Sequence, residues 1–181
     1  MAQITLSLEE IEDALHTAIC SCLGLPENEN MAVRFPYMAA PEKKLAKNTC
    51  FIYVLPASDD YCRLSNLSHR DDGNDKLTEV IESTNAYALN FVCYGPEAGD
   101  WARRIKTGLV RQSVRESLSK QYLSLVPGSF TITRAPELAN TEWTERYDVS
   151  AQIYQYERVE AENSTNTIET VNIKSISERS T

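Results

Sequence analysis

At 181 residues, with 42% hydrophobic and 24% charged side chains, the chain has the size of one domain with its own core, and neither wholesale disorder nor a fibrous class fits it. A net charge of −8 and a pI near 4.9 exclude a broadly basic face that grips nucleic acid, since neutralising phosphates needs clustered Lys and Arg; an acidic surface suits a protein that lets DNA slide past. Five irregularly spaced cysteines, Cys20, Cys22, Cys50, Cys62 and Cys93, argue against a disulfide framework and fit a reducing cytosol, and no apolar run reaches the roughly 20 residues that cross a bilayer.

The opening MAQITLSLEE has neither the basic flank nor the apolar stretch of a secretory signal, so folding in the cytoplasm is expected. The first predicted element is a helix. Ser7 and Glu10 form an S-x-x-E capping box, in which each side chain satisfies a free amide of the other residue. Behind it Leu8, Ile11, Leu15, Ala18, Ile19 and Cys22 recur at threes and fours and make one face apolar, and Gly24 and Pro26 end the run. Glu9, Glu10, Glu12 and Asp13 crowd the first turns, where the helix dipole favours negative charge.

Strands are predicted at residues 33–36 and, more strongly, at 49–55, whose apolar, β-branched and aromatic residues are bounded by turn formers. Residues 58–76 are polar, turn-rich and aperiodic, and read as a long excursion from the sheet. The next strand, 86–94 (AYALNFVCY), is apolar on both faces and therefore central; Gly95-Pro96 stops it. A second helix starting at 97–100 turns Trp101, Ile105, Leu109 and Val110 inward, with Arg103, Arg104, Lys106 and Arg111 on other faces, and its spacing carries through Val114 and Leu118 to Lys120.

Short strands follow at 122–126 and 129–133, split by the turn Pro127-Gly128. Residues 143–156 alternate in their second half, with Tyr147, Val149, Ala151, Ile153 and Gln155 on one side, as in a half-buried antiparallel strand. The tail is polar from Ala161 and then alternates through Ile168, Val171, Ile173 and Ile176, an edge strand or an arm that orders against a partner, before a frayed end at 177–181. The fold class is α+β, a mostly antiparallel sheet with two main helices packed on one face; residues 1–160 form a single domain and 161–181 a C-terminal strand or arm.

No reactive constellation stands out. Cys20-x-Cys22 on a helix points its two sulfurs to roughly opposite sides, which no zinc site uses, and Cys22 and Cys93 read as small buried apolar residues. Of the two histidines, His16 lies beside the apolar stripe in a packing or surface position, and His69 sits among Arg70, Asp71 and Asp72 in the polar excursion. The carboxylate pairs Asp59-Asp60 and Asp71-Asp72 have the chemistry to bind a cation, although charge runs in loops are ordinarily solvated. No nucleophile-and-base motif or glycine-rich phosphate loop is present, so the expectation is a non-enzyme with no cofactor, no metal and no catalytic residue.

The conspicuous residues are geometric instead. Tyr94-Gly95-Pro96 breaks a buried strand and launches the helix carrying Trp101, Ala102, Arg103 and Ile105; Pro136 in Arg134-Ala135-Pro136-Glu137-Leu138 forces an extended bend; Arg146 and Asp148, after Trp143, share one strand face. That ordered set, chiefly over residues 90–156, resembles the phage neck and tail-terminator proteins of tailed phages and prophages. The departures are residues 58–76, which match no pattern of that family, and Asn140-Thr141, which stand where a turn glycine is expected.

The resemblance implies a structural virion protein: a ring, commonly a hexamer, that caps the tail tube and joins it to the head connector, assembled in the host cytoplasm and located at the neck. It implies as partners other copies of the chain, the tail tube, the head-connector or portal-adaptor proteins, and sheath proteins if the tail is contractile, with DNA passing through without specific binding and no membrane contact. The alternatives are a head-completion adaptor or baseplate subunit, a small enzyme using Asp71, Asp72 or His69, and a monomeric interaction module. A DNA-binding measurement across salt concentrations separates an acidic, non-sticky lumen from a gripping surface.

Overall fold

The computed structural model describes residues 3–27, 31–36, 47–71, 77–139 and 142–163. In chain order the elements are β1 (Gln3–Ile4), α1 (Leu8–Leu23), β2 (Val33–Arg34), β3 (Thr49–Ala57), a 3-10 turn at Asp60–Arg63, β4 (Asn66–Asp71), β5 (Leu77–Tyr94), α2 (Ala98–Leu109), α3 (Gln112–Ser119), β6 (Leu123–Leu125), β7 (Thr131–Arg134), β8 (Glu137–Ala139), β9 (Glu142–Thr144) and β10 (Arg146–Asn163). The α+β class and the mostly antiparallel sheet with its helices on one face are as expected.

The sheet is built on β5 and β10, which pair antiparallel over all 18 residues of each, from Arg146 opposite Tyr94 to Asn163 opposite Leu77. At about 3.3 Å per residue such a ribbon is roughly 60 Å long, about three times a usual strand. Short strands line both of its sides. Along β5 lie β3, against residues 86–94, and β4, against residues 77–82. Along β10 lie β7, β6 and β1 end to end, against residues 147–150, 153–155 and 158–159. Strand β2 adds to β3 in parallel, and β8 and β9 form a separate two-stranded hairpin.

Alternation explains which face is covered. Cys50, Ile52 and Val54 of β3, Leu89, Phe91 and Cys93 of β5, and Val149, Ala151 and Ile153 of β10 fall in register on one face and are buried. Against them pack Ile11, Leu15 and Ile19 of α1, Trp101, Ile105 and Leu109 of α2, and Val114 and Leu118 of α3. Burying each such side chain contributes about 1.5–3 kcal/mol, so this two-layer contact dominates stability.

The capping box forms as predicted: the Glu10 amide donates to Ser7 Oγ at 3.2 Å, and the Ser7 amide donates to Glu10 Oε2 at 2.7 Å. Gly24, at φ +72°, ends α1 in a left-handed turn, and the Leu25 amide closes on the Cys20 carbonyl at 2.9 Å. Two buried polar groups lock α1 to the sheet: His16 Nε2 lies 3.2 Å from the Val33 carbonyl, and Gln155 donates to the Leu6 carbonyl and accepts from Tyr87, both at 3.1 Å. Cys22 and Cys93 are buried, as expected, and all five cysteines are free thiols.

Three expectations are corrected. The supposed excursion at 58–76 holds the 3-10 turn and β4, which extends the sheet, so His69 stands on a strand; Asp72 lies outside the described residues. Strand β5 starts at Leu77, nine residues before the expected 86. The second helix is two, because the chain turns extended at Arg111 (φ −63°, ψ 142°), and Val110 is 52% exposed instead of inward. The two short strands expected on either side of Pro127-Gly128 are present as β6 and β7, and both lie along β10. The alternating tail at 168–176 lies outside the described residues.

Candidate functional site: a braced hairpin with an exposed apolar pair

On the sheet face away from the helices, at the junction of β5 and β10, four of the predicted motif residues come together. Asp148 is two residues after Arg146, so both project to the same side of the strand, and the guanidinium grips the carboxylate with two bonds: Nε to Oδ1 at 2.8 Å and Nη2 to Oδ2 at 2.9 Å. The third guanidinium nitrogen donates to Glu137 Oε2 at 3.2 Å, and Tyr94 Oη donates to the same oxygen at 2.9 Å. The Arg146 charge sits 5.7 Å from the Tyr94 ring centre, and Phe51 meets that ring edge-on at 5.9 Å.

Electrostatics here hold protons in place. Burial and the bond to Glu137 push Tyr94 up to about 12, so the phenol stays a donor, while its bond and that of Arg146 hold Glu137 below the usual carboxylate range. The bond to Asp148 raises Arg146, which keeps its charge. Each member is satisfied by another, with no nucleophile poised beside a base. The arrangement can brace; it has no group set to make or break a bond.

What it braces is the β8–β9 hairpin, since Glu137 is the first residue of β8. A second anchor joins the hairpin base from the other side, where Arg134 of β7 pairs with Glu145, its Nε 3.1 Å from the carboxylate. On the hairpin itself Leu138 and Trp143 stand directly opposite each other across the two strands, and they are 57% and 73% exposed. Two large apolar side chains are thus held out on a fixed base, the opposite of where the hydrophobic effect would leave them without a partner.

The remaining motif residues serve elsewhere. Gly95 takes φ +111°, and a Cβ there would lie 2.3 Å from the Lys47 carbonyl oxygen, so only glycine fits the turn; its amide donates to the Glu145 carbonyl at 3.1 Å. Pro96 follows in that turn, and the next amide, of Glu97, donates to Asn48 Oδ1 at 3.1 Å at the start of α2. Trp101 is core, Arg103 lies on the helix surface paired with Asp100 at 2.7 Å, and Pro136 is the exposed link between β7 and β8.

Of the two carboxylate pairs, Asp59 is engaged in structural bonds, and Asp72 lies outside the described residues. Asp59 caps the 3-10 turn through the Tyr61 amide at 2.9 Å, and its other oxygen accepts from Tyr154 at 2.7 Å and Gln152 at 3.0 Å. Among the described residues no group of three or more His, Cys, Asp or Glu side chains is placed to hold a metal ion, and no helix is long and apolar enough to cross a membrane.

Asp59 as a brace was not legible in the sequence, nor were the exposed apolar residues Tyr61 and Leu64 at the 3-10 turn and Leu67 and Ile81 of β4 and β5. Leu64 and Leu67, lone leucines in a polar stretch, were the available signal.

The chain matches the phage neck terminator proteins over residues 9–179. It belongs to that family. The match runs from α1 past the last described strand and includes the braced hairpin and the 58–76 segment. No curated protein matches the chain. A phage neck terminator protein is a structural component of the neck, so this chain works in the virion against other phage tail or head proteins.

Proposed function

We propose that this neck terminator subunit assembles into a ring, a hexamer by resemblance, which caps the tail tube and joins it to the head connector. It works by shape and contact, without catalysis and without a cofactor, and DNA passes the ring without specific binding. Residues 1–160 act as one domain, and the alternating tail at 161–181 serves as an arm toward a neighbour. The ring is built in the host cytoplasm and stays at the neck.

The observation that carries this reading is the Leu138–Trp143 pair. Large exposed apolar side chains on a rigid, hydrogen-bonded base are what protein contacts use as anchors, because no ordering has to be supplied on binding. We assign this hairpin to the contact between the ring and its tail-side or head-side partner, with Tyr94, Glu137, Arg146 and Asp148 as its positioning residues and Arg134 with Glu145 as a second tether.

Solution mass by light scattering, with imaging of the purified chain, tests the ring. Discrete rings of uniform mass are expected. A strict monomer at every concentration would overturn ring formation, and turnover of a small substrate would overturn the non-catalytic reading.

A further inference from the structure

The β5–β10 ribbon outruns the helix layer. The helices cover the sheet as far as the Asn85–Gln155 row, where the Leu6 carbonyl takes Gln155 and α1 begins. Four more helix-side rows continue beyond it. One holds Leu67 of β4, Ile81 of β5 and Val159 of β10 side by side. Leu67 is 56% and Ile81 39% exposed, so among the described residues this apolar row of the sheet is not covered by the helix layer. Its neighbouring rows carry Glu79 on one side and Glu157 on the other, so carboxylates flank the apolar row.

A surface of opposite character lies elsewhere on the same chain. Residues 98–120, covering α2 and α3, hold six basic and two acidic residues, a net of +4 on a chain whose total is −8. All six basic side chains are exposed. Val110 is 52% exposed with Arg111 next to it in the chain, and Arg115 and Glu116 line a groove of about 400 Å³ between α3 and β6 together with Leu118, Leu123 and Leu125. The ribbon overhang and the α2–α3 surface share no residue, each has an apolar centre, and carboxylates flank the first while the segment bearing the second is net positive. The overhang also presents bare sheet where a helix layer is missing, and α2–α3 is a helix layer.

We infer that the helix-side overhang centred on Leu67 and Ile81 seats the α2–α3 surface of a second copy, centred on Val110, Arg111 and Arg115. One subunit's helices thereby complete the two-layer packing of the next subunit's ribbon. The contact is heterologous, a different surface from each partner, and repeats into a closed ring or an open helix according to the rotation it imposes. Charge on the two surfaces steers the encounter and fixes its sense, because like surfaces repel. This inference rests on the proposed ring and specifies the contact within it.

The test uses two variants of the full chain, Ile81→Asp, which spoils the overhang, and Arg111→Glu with Arg115→Glu, which spoils the helix surface. All three positions are exposed, so circular dichroism of each variant stays at the wild-type spectrum, and thermal midpoints are compared at a dilution where the wild type is itself dissociated, because assembly raises apparent stability. Sedimentation velocity is expected to show assembled wild type and, for each variant alone, a loss of assembly of at least tenfold in the concentration required. Mixed one to one, the variants form a dimer and stop there, because the mixture retains one intact overhang and one intact helix surface.

Variants that assemble like wild type would overturn the contact and leave the ring standing. Monomeric variants that fail to pair on mixing would likewise overturn it. A wild type that never associates would remove the ring and the contact together.

Discussion

Arg146→Met separates a brace from an ornamental surface ion pair. Methionine keeps much of the stem packing but removes both bonds to Asp148, the bond to Glu137 and the charge over Tyr94. The side chains of Arg146 and Asp148 are 30% and 26% exposed, so water screens the pair only in part, and the variant leaves Asp148 with a half-buried charge and no cation. Exposed pairs are worth about 0.2–1 kcal/mol and an orphaned buried partner costs about 1–3 kcal/mol or more, which places this site near 2 kcal/mol. For a chain of this length that is a fall of roughly 4–8 °C in Tm. Adding Asp148→Leu removes the orphan and is expected to recover at least half of the loss. Urea titrations followed by circular dichroism, at one fixed protein concentration because assembly raises apparent stability, measure both steps. An Arg146→Met variant within about 0.5 kcal/mol of wild type, or a double variant no more stable than the single, would show that Arg146 does not brace the site.

Trp143→Ala, at a 73% exposed position, is expected to change stability by less than about 0.5 kcal/mol while sharply lowering the yield of head–tail joined particles in a complementation assay; full particle yield would remove the hairpin from the contact. Glu137, Glu145 and Asp59 all have folded values below their ordinary 4.5, 4.5 and 3.8, chiefly through bonds from Tyr94, Arg134 and Tyr154. Because the folded state holds those protons less tightly, their stabilisation is complete above the ordinary values and is lost as pH falls through the lower, folded ones. Tm therefore drops on acidification through that window, and Glu137→Gln makes the drop shallower; an unchanged slope in the variant would contradict this. A thiol reagent should modify one cysteine per native chain, the partly exposed Cys62, and all five after denaturation, since the other four are buried and burial pushes Cys22 up to about 11. Rapid modification of two or more in the native state would show that the core is less closed than described.

Legibility in the sequence followed contrast between faces. Helix α1 was readable because Ser7, Glu10 and Gly24 mark its ends and its stripe faces a core, and residues 147–155 of β10 were readable because their odd positions meet the helices while the even ones do not. Beyond Asn85 the same ribbon leaves the helix layer; the buried positions there, Thr78 and Val80, are on the opposite face, and residues 66–70 are exposed throughout, so the core-facing period of two does not carry through. The break between α2 and α3 was present as a step of five from Leu109 to Val114, one more than a helical turn allows, without a proline to mark it. Of the motif residues, the Arg146–Asp148 pairing was legible because residues two apart share a strand face. Their meeting with Tyr94 and Glu137 depends on the β5–β10 register and on the hairpin folding back, which no local pattern encodes.

The central claim is that this chain is a neck subunit that acts through its contacts. Reconstruction of whole virions by electron microscopy, fitting this fold into the density, tests it most directly. The account predicts a ring of copies at the head–tail junction, with the β8–β9 hairpin buried against a neighbouring component. Density for the chain elsewhere in the particle, or its absence from the particle, would contradict it.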